Sequence, residues 1–563
     1  MLLFLPLVLA SEVPVSFLKV YPLTNPSETY RYYDIVPFCR PINQRNPWFL
    51  SFDRVLEGER PAPAPFNVTY GENQQTSVYC EASVTDDIVR DLKEAVSLGY
   101  VFDIEIAGLP ITQVPLGRLD EDSHAFLLTV LNLKLGLNED HIVSATLGDS
   151  LVDSSYQLIT LEDPLRFRYS VTFTSSDILP SDARAAQLQR PDKYFTTPSA
   201  IHTVAATNAF ILTVLTIALL VVVLVRAVRS DLGRFLPDTE MGSTEVDDIP
   251  GWKLLHADVF RPPPHRLVLC AAAGAGLQLA IMACLTVTAA FLNLTDSTGT
   301  SAVGFYMLSA FSGGFESGKW YRRLGGDKTA WNVLLTALLF AGPAFIAWAV
   351  LNTMALLHNS TAAFPFTTII IFFSLWAGVT LPLTVLGGFA GARYASTRYF
   401  PGKTNRLARE IPRKKWWQSS VFQFLVSGFL PFSAMYIELN YLFDSAWGKG
   451  GHYRLYGPLC VGGVMATMIA TASNLLFTYL QLNAEDHRWW WRCFISGGAV
   501  GLFFLGFCAW YYAKSAMHGI LQGSFFALYS LLTAFAIHLM VGYASFLMSL
   551  RFVVFLYKRV KSE

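Results

Sequence analysis

Residues 411–443 read IPRKKWWQSSVFQFLVSGFLPFSAMYIELNYLF, and the order of chemistry in this stretch decides the class of fold. Arg413, Lys414 and Lys415 come first, Trp416 and Trp417 follow, and then the chain runs apolar for about the thickness of a bilayer. Lys and Arg stay on the cytoplasmic side of a membrane and indole rings settle among the headgroups, so this reads as a span entered from the cytosol. Inside the run lie Pro431 and Glu438. A carboxylate at membrane depth costs about 2.5–3.5 kcal/mol on insertion scales, so neighbouring groups in a bundle must compensate it. The stretch predicts a polytopic α-helical membrane protein with a polar focus.

Composition points the same way. The 563 residues are 53% hydrophobic and 14% aromatic, too apolar for an ordinary soluble chain and too long for one domain. The net charge of zero is a cancellation: residues 11–201 carry 26 Asp/Glu against 15 Lys/Arg, and the remainder carries 16 against 27. No basic stripe stands apart from the membrane half, so nucleic acid is not an expected partner. Of seven cysteines, Cys39 and Cys80 lie in the acidic half, where a lone pair in a secretory domain predicts one disulfide. The other five fall in or beside apolar segments. No spacing suits a metal, and no cofactor is expected.

In chain order, residues 1–10 fit a signal-peptide core ending at Ala10. Residues 11–201 read as a β-rich lumenal domain, with strands expected at 13–20, 29–36, 77–80, 100–108 and 165–173 and a helix at 86–99. Asn67 heads a glycosylation sequon on it. Nine transmembrane helices are expected: the first over 202–226, then, after a cytosolic loop at 227–266, eight more over 267–550. The third, near 299–318, is the weakest, diluted by Ser309, Ser312 and Glu316. Alternate loops, with the tail 551–563, hold 24 Lys/Arg, and the opposite loops hold three. That asymmetry predicts a lumenal N-terminal domain and a cytosolic C-terminus.

Several blocks resemble the transmembrane 9 superfamily, the nonaspanins: NPSETYRYYDIVPFCRP (25–41), GWKLLHADVFRPP (251–263), TNRLAREIP (404–412), SGFLPFSAMYIEL (427–439) and EDHRWWWRCF (485–494). They occur in the family's order over nearly the whole chain. Lys414 and Lys415 depart from the family's more acidic or neutral residues, and Glu563 stands where Asp is commoner. The resemblance implies residence in Golgi and endosomal membranes. It also implies a non-enzymatic role in localising other membrane proteins and delivering them to the surface, with cargo that has glycine-rich spans. The tail, with Arg559, Lys561 and the terminal Glu563, resembles the family's retention signal for the coatomer coat.

Candidate contacts for cargo or an ion are Glu438, His538 and Gln278, each weighed against a purely structural role in holding helices together. Gly497 and Gly501, like Gly387 and Gly391, have the spacing of close helix pairs. GWKLLHADVFRPPPHR is read either as a juxtamembrane helix resting Trp252, Leu254 and Leu255 on the membrane, or as an ordered loop. The aspartates beyond residue 250 all fall in loops or at span edges, which leaves no intramembrane dyad, so catalysis is not expected. The rival reading is a secondary transporter or ion pathway through Glu438 and His538, against which no paired interrupted spans are found.

Overall fold

The structure is a computed structural model that describes residues 12–23, 28–41, 54–55, 58–122, 124–148, 155–161, 163–180, 183, 199–233, 251–292, 294, 298–395, 399–400, 404–405, 407–447, 456–515, 517 and 519–558. The expected signal peptide, Asn293 and Thr295 of a further sequon (Asn293-Leu-Thr), and the tail signal Arg559, Lys561 and Glu563 lie outside the described residues.

Among the described residues the N-terminal domain is built from two four-stranded sheets, with a smaller three-stranded and a two-stranded one, over one continuous apolar core. Its main strands are β1 (Val15–Pro22), β2 (Gln74–Ala82), β3 (Tyr100–Ile106), β4 (Leu109–Pro115), β5 (Val130–Asn138), β6 (His141–Leu147) and β7 (Leu165–Ser175). One sheet runs β6-β5-β7-β2, with β5 and β7 parallel and Leu133 opposite Val171. In the other, β1 and β4 flank β3, and Ala62–Pro63 pairs with the outer side of β1. Helix α1 (Asp86–Ser97) buries Val89, Leu92, Ala95 and Val96, the stripe that a period near 3.6 requires. Cys39 and Cys80 form a disulfide, tying the N-terminal segment to β2.

The expected strand at 29–36 is instead a single bridge at Tyr30 followed by a helical turn, Tyr32–Ile35. The reason is packing: Tyr32 and Tyr33 are adjacent and both buried, whereas a strand would send them to opposite faces. Tyr32 stacks on Phe17 with centroids 3.8 Å apart, and Tyr33 meets the same ring edge-on.

The membrane part comprises nine long helices among the described residues: α2 (Ser199–Gly233), α3 (Arg266–Phe291), α4 (Thr298–Arg323), α5 (Thr329–Leu357), α6 (Phe366–Tyr394), α7 (Ser420–Trp447), α8 (Tyr456–Asn483), α9 (Trp489–Lys514) and α10 (Ile520–Lys558). Eight contain segments long and apolar enough to cross a membrane; α4 does not. It compensates by being wedged inside the bundle. A Cβ on Gly314 would lie 2.2 Å from the Thr384 carbonyl oxygen of α6, and one on Gly318 would lie 2.1 Å from that of Gly388. On the facing helix, Gly387 and Gly391 press equally close to the carbonyls of Phe311 and Phe315. Only residues without side chains let backbones approach this far.

Contacts between loops fix the crossing parity. The loop between α5 and α6 meets the N-terminal domain: the Thr361 N–H donates to the Thr29 carbonyl at 2.8 Å, the Ser360 hydroxyl to the same oxygen at 2.8 Å, and Arg60 to the Ala363 carbonyl at 2.9 Å. Segments 251–265, 404–418 and 484–488 meet one another at the other end of the bundle. Each helix therefore runs from the domain side to the far side or back.

Candidate functional site

The far side is where sequence blocks more than 200 residues apart converge. Residues 251–254 make one helical turn, and the chain then folds into successive turns with Leu255, Asp258, Val259 and Phe260 buried. Trp252 is also buried, edge-on to Tyr557, whose hydroxyl donates to the Trp252 carbonyl. The reading of this segment as a helix resting on the membrane surface is thus corrected: Trp252 and Leu255 enter the bundle's apolar core, because α8, α9 and α10 offer them a wall of aromatic side chains. Two tryptophans of the 485–494 block hold the segment by its backbone. Trp489 donates to the Val259 carbonyl at 2.9 Å and Trp491 to that of Pro264 at 2.7 Å.

Charges complete the junction. Asp258 accepts from Arg261 at 2.6 Å and from the Arg409 N–H at 3.2 Å, while Arg409 reaches Glu485 at 2.8 Å. Asp486 holds Lys414 at 2.6 Å and Arg492 at 3.2 Å. Burial pushes the Asp486 carboxyl up, but hydrogen bonds from Lys414 and the Arg488 N–H, with the Lys414 and Arg492 charges, outweigh it and hold the group below its ordinary value. The neighbouring His487 is shifted down by burial, an effect partly opposed by Asp258 and Asp486.

Above this junction a polar layer crosses the bundle. Ser496 of α9 donates to Asn474 of α8, and Gln423 of α7 donates to Ser496 at 3.2 Å. Thr478 links the Asn474 carbonyl at 2.7 Å to Ser549 of α10 at 3.3 Å. Beside the layer α9 breaks just after Gly497, at Gly498 and Ala499, where a Cβ on Gly498 would fall 2.4 Å from the His538 Nδ1. That nitrogen instead lies 2.9 Å from the Gly498 carbonyl oxygen, answering a backbone group at the break. Ser427, Gln481 and Ser545 each keep a buried polar atom with no partner among the described residues.

Residues 29–520 match the model of the family described as endomembrane protein 70. The chain is 34% identical to transmembrane 9 superfamily member 1 of Bos taurus and of Mus musculus, over 97% of this chain and 92% of each relative. It is 33% identical to transmembrane 9 superfamily member 4 of Arabidopsis thaliana, over 98% of this chain and 94% of that one. The chain belongs to the transmembrane 9 superfamily. No solved structure matches it.

Within this nonaspanin the residues singled out from the sequence fall in separate places. Gln278 is buried and donates to the Tyr306 carbonyl at 3.1 Å, binding α3 to α4. His538 sits at the α9 break. Glu438 is half-buried on α7, between the outward-facing Tyr436 and Ile437 and the buried Leu439, which belongs to an apolar cluster with Phe443, Phe504 and Phe507. Gly497 faces Ser545 and Gly501 faces the Ala534 carbonyl, both on α10. Asn67 is exposed, its amide donating to Glu12.

Sequence reasoning missed Asp258, Asp486, Asn474 and Ser496. It read Glu316 only as diluting the third span, whereas on α4 Glu316 accepts from Lys319 and from the Trp320 indole at 2.6 Å, and Ser317 donates to Asn332 at 2.9 Å. The available signal was the conjunction of blocks: 251–263, 404–412 and 485–494 all carry charges at span edges, and such charges need partners.

Proposed function

We propose that this nonaspanin is a non-enzymatic multi-pass protein of Golgi and endosomal membranes that promotes localisation and surface delivery of other membrane proteins. In this reading the N-terminal domain is lumenal and the C-terminal tail, read by the coatomer coat, is cytosolic. Cargo with glycine-rich spans is bound through the membrane helices and the lumenal domain. The observation that carries it is the division of surface in the bundle. Polar side chains such as Gln278, Asn474, Ser496 and His538 are answered from inside, as structural glue is. In the segment Thr207–Arg229 of α2, by contrast, only Ala209 and Thr213 are buried, and Phe210, Leu215, Leu219 and Val222 are all more than half exposed. An apolar span packed on one side only, against α7 and α8, offers lipid-facing surface to a guest helix.

Proximity labelling from the N-terminal domain, compared with surface levels of the labelled proteins after deletion of the gene, tests this. The labelled membrane proteins should fall at the surface and recover with the intact chain. A Glu438→Gln variant at normal abundance then asks whether the α7 carboxylate takes part. Unchanged surface levels after deletion would overturn the proposal, and ion-dependent flux in proteoliposomes would replace it with a transporter.

A further inference from the structure

A cavity of about 310 Å³ opens between α3, α4, α5 and α6, in the domain-side half of the bundle. Two helix irregularities border it. Helix α5 carries Pro343 in its interior, and α6 contains a π-helical turn, Trp376–Thr380. A proline frees a backbone carbonyl and bends the helix, and a π turn inserts one residue and re-aims the side chains around it. The wall is cut back to Ala302 on α4 and to Ala341 and Ala344 beside Pro343 on α5. Together these choices keep the helices from closing.

The lining is apolar and largely aromatic. Trp348 stacks against Phe364 with centroids 5.6 Å apart, Phe364 against Phe372 at 6.0 Å, and Phe345 meets Trp376 edge-on at 6.0 Å. Among the described residues no Asp, Glu, Lys, Arg or His lines the space. The polar residues Tyr306 and Thr380 also line it, and among the described residues one buried polar atom of the lining has no partner: the Trp376 Nε1. Trp376 lies ten residues into α6 from Phe366, about 15 Å along the axis and so near mid-bilayer.

We infer that this cavity is a binding site for a neutral, headgroup-poor membrane lipid of the sterol type. An uncharged wall excludes a ligand whose phosphate would be drawn to mid-bilayer without a partner. Flat aromatic faces suit a flat fused-ring body, and a lone indole N–H suits a single oxygen acceptor. The volume is within the range of small-molecule sites. Entry is lateral, from the bilayer. The roof is Phe364, which follows the Ala363 whose carbonyl Arg60 binds, so the N-terminal domain rests on the segment that closes the cavity.

The test uses the full-length protein in native membranes with three photoreactive probes: a sterol, a diacylglycerol and a phosphatidylcholine. The sterol probe should label peptides covering 302–307, 340–348 and 364–380, and excess unlabelled sterol should suppress that labelling. Ala344→Trp, which fills the cavity, should abolish the suppressible fraction. Trp376→Phe, which keeps an aromatic face and removes the N–H with the pyrrole half of the indole, should weaken competition by at least about two- to tenfold, the range of one neutral hydrogen bond. If Ala344→Trp alters the size-exclusion profile, Met307→Trp serves in its place. Labelling elsewhere, labelling insensitive to sterol, or equal or stronger labelling of these peptides by either other probe would overturn the proposal.

Discussion

Lys414 reaches Asp486 at 2.6 Å, joining the basic segment ahead of α7 to the turn ahead of α9. The Asp486 side chain is 2% exposed and also holds Arg492, so its charge is answered twice. Asp486→Asn removes the charge both cations face. The expected loss is about 3–5 kcal/mol, because breaking a buried pair leaves its partner uncompensated. Lys414→Ala, which removes the more exposed partner, should cost less. Detergent thermal melts of the two variants check the order; equal, small losses would mean the pair is held by packing alone.

A pH dependence follows from the adjacent His487. The ring is buried, its Nδ1 has no partner among the described residues, and its pKa is shifted below 6.5. Below 6.5 the unfolded chain takes up a proton that the folded chain does not. The histidine's contribution to stability is therefore complete above pH 6.5 and is lost as pH falls through the folded value. Asp486, whose shift is also downward, acts in the same direction but only below its ordinary value of 3.8. His487→Gln should flatten the melting temperature profile just below pH 6.5. An unaltered profile would assign the effect to other groups.

Among the described residues, docking of the N-terminal domain rests on few bonds, so it should be easy to loosen. Arg60→Ala removes a charged donor to the Ala363 carbonyl, worth about 1.5–3 kcal/mol. Hydrogen exchange at the Thr361 N–H, which is bonded to Thr29, should accelerate while exchange in β5 and β7 stays slow. Faster exchange throughout the domain would instead signal unfolding.

Glycan attachment should distinguish two sequons. Asn67 is exposed on the domain, whereas Ser360 and Thr361 of the sequon at Asn359 are each 5% exposed and bonded to Thr29. Asn67→Gln should remove the glycosidase-sensitive mobility shift seen on gels, and Asn359→Gln should leave it intact.

Much of the membrane architecture was legible because hydropathy and cation placement report directly on a bilayer. Eight spans announce themselves by length and apolarity. The long-range partners of Asp258 and Asp486 were not legible, since a single charge at a span edge does not say which of several loops folds back onto it. Nor did the aromatic content of 29–36 separate a strand from a turn: only the neighbouring Phe17 makes burial of both Tyr32 and Tyr33 profitable. The α9 break was half legible. Two adjacent glycines signal weak helix, but His538, 40 positions later, supplies the reason they are needed.

The glycine wedge of α4 can be tested by one side chain. Gly318→Val would drive its Cβ against the Gly388 carbonyl oxygen, where only 2.1 Å is available. Overpacking typically costs about 1–3 kcal/mol, and collision with backbone belongs at or beyond the upper end. The variant should be recovered at low abundance, and Gly304→Val, at a position with open space, should not.

The wedge also bears on how the chain is made. Helix α4 leaves the ribosome before α6, yet without α6 its stripe of Gly314 and Gly318 has no surface to meet. Too polar to partition into lipid unaided, it must wait beside the insertion machinery until α6 has been synthesised about 70 residues later. Biogenesis of this half of the protein is thus a concerted release of several helices, and a nascent chain stalled before residue 391 would be held at the translocon as an assembly intermediate.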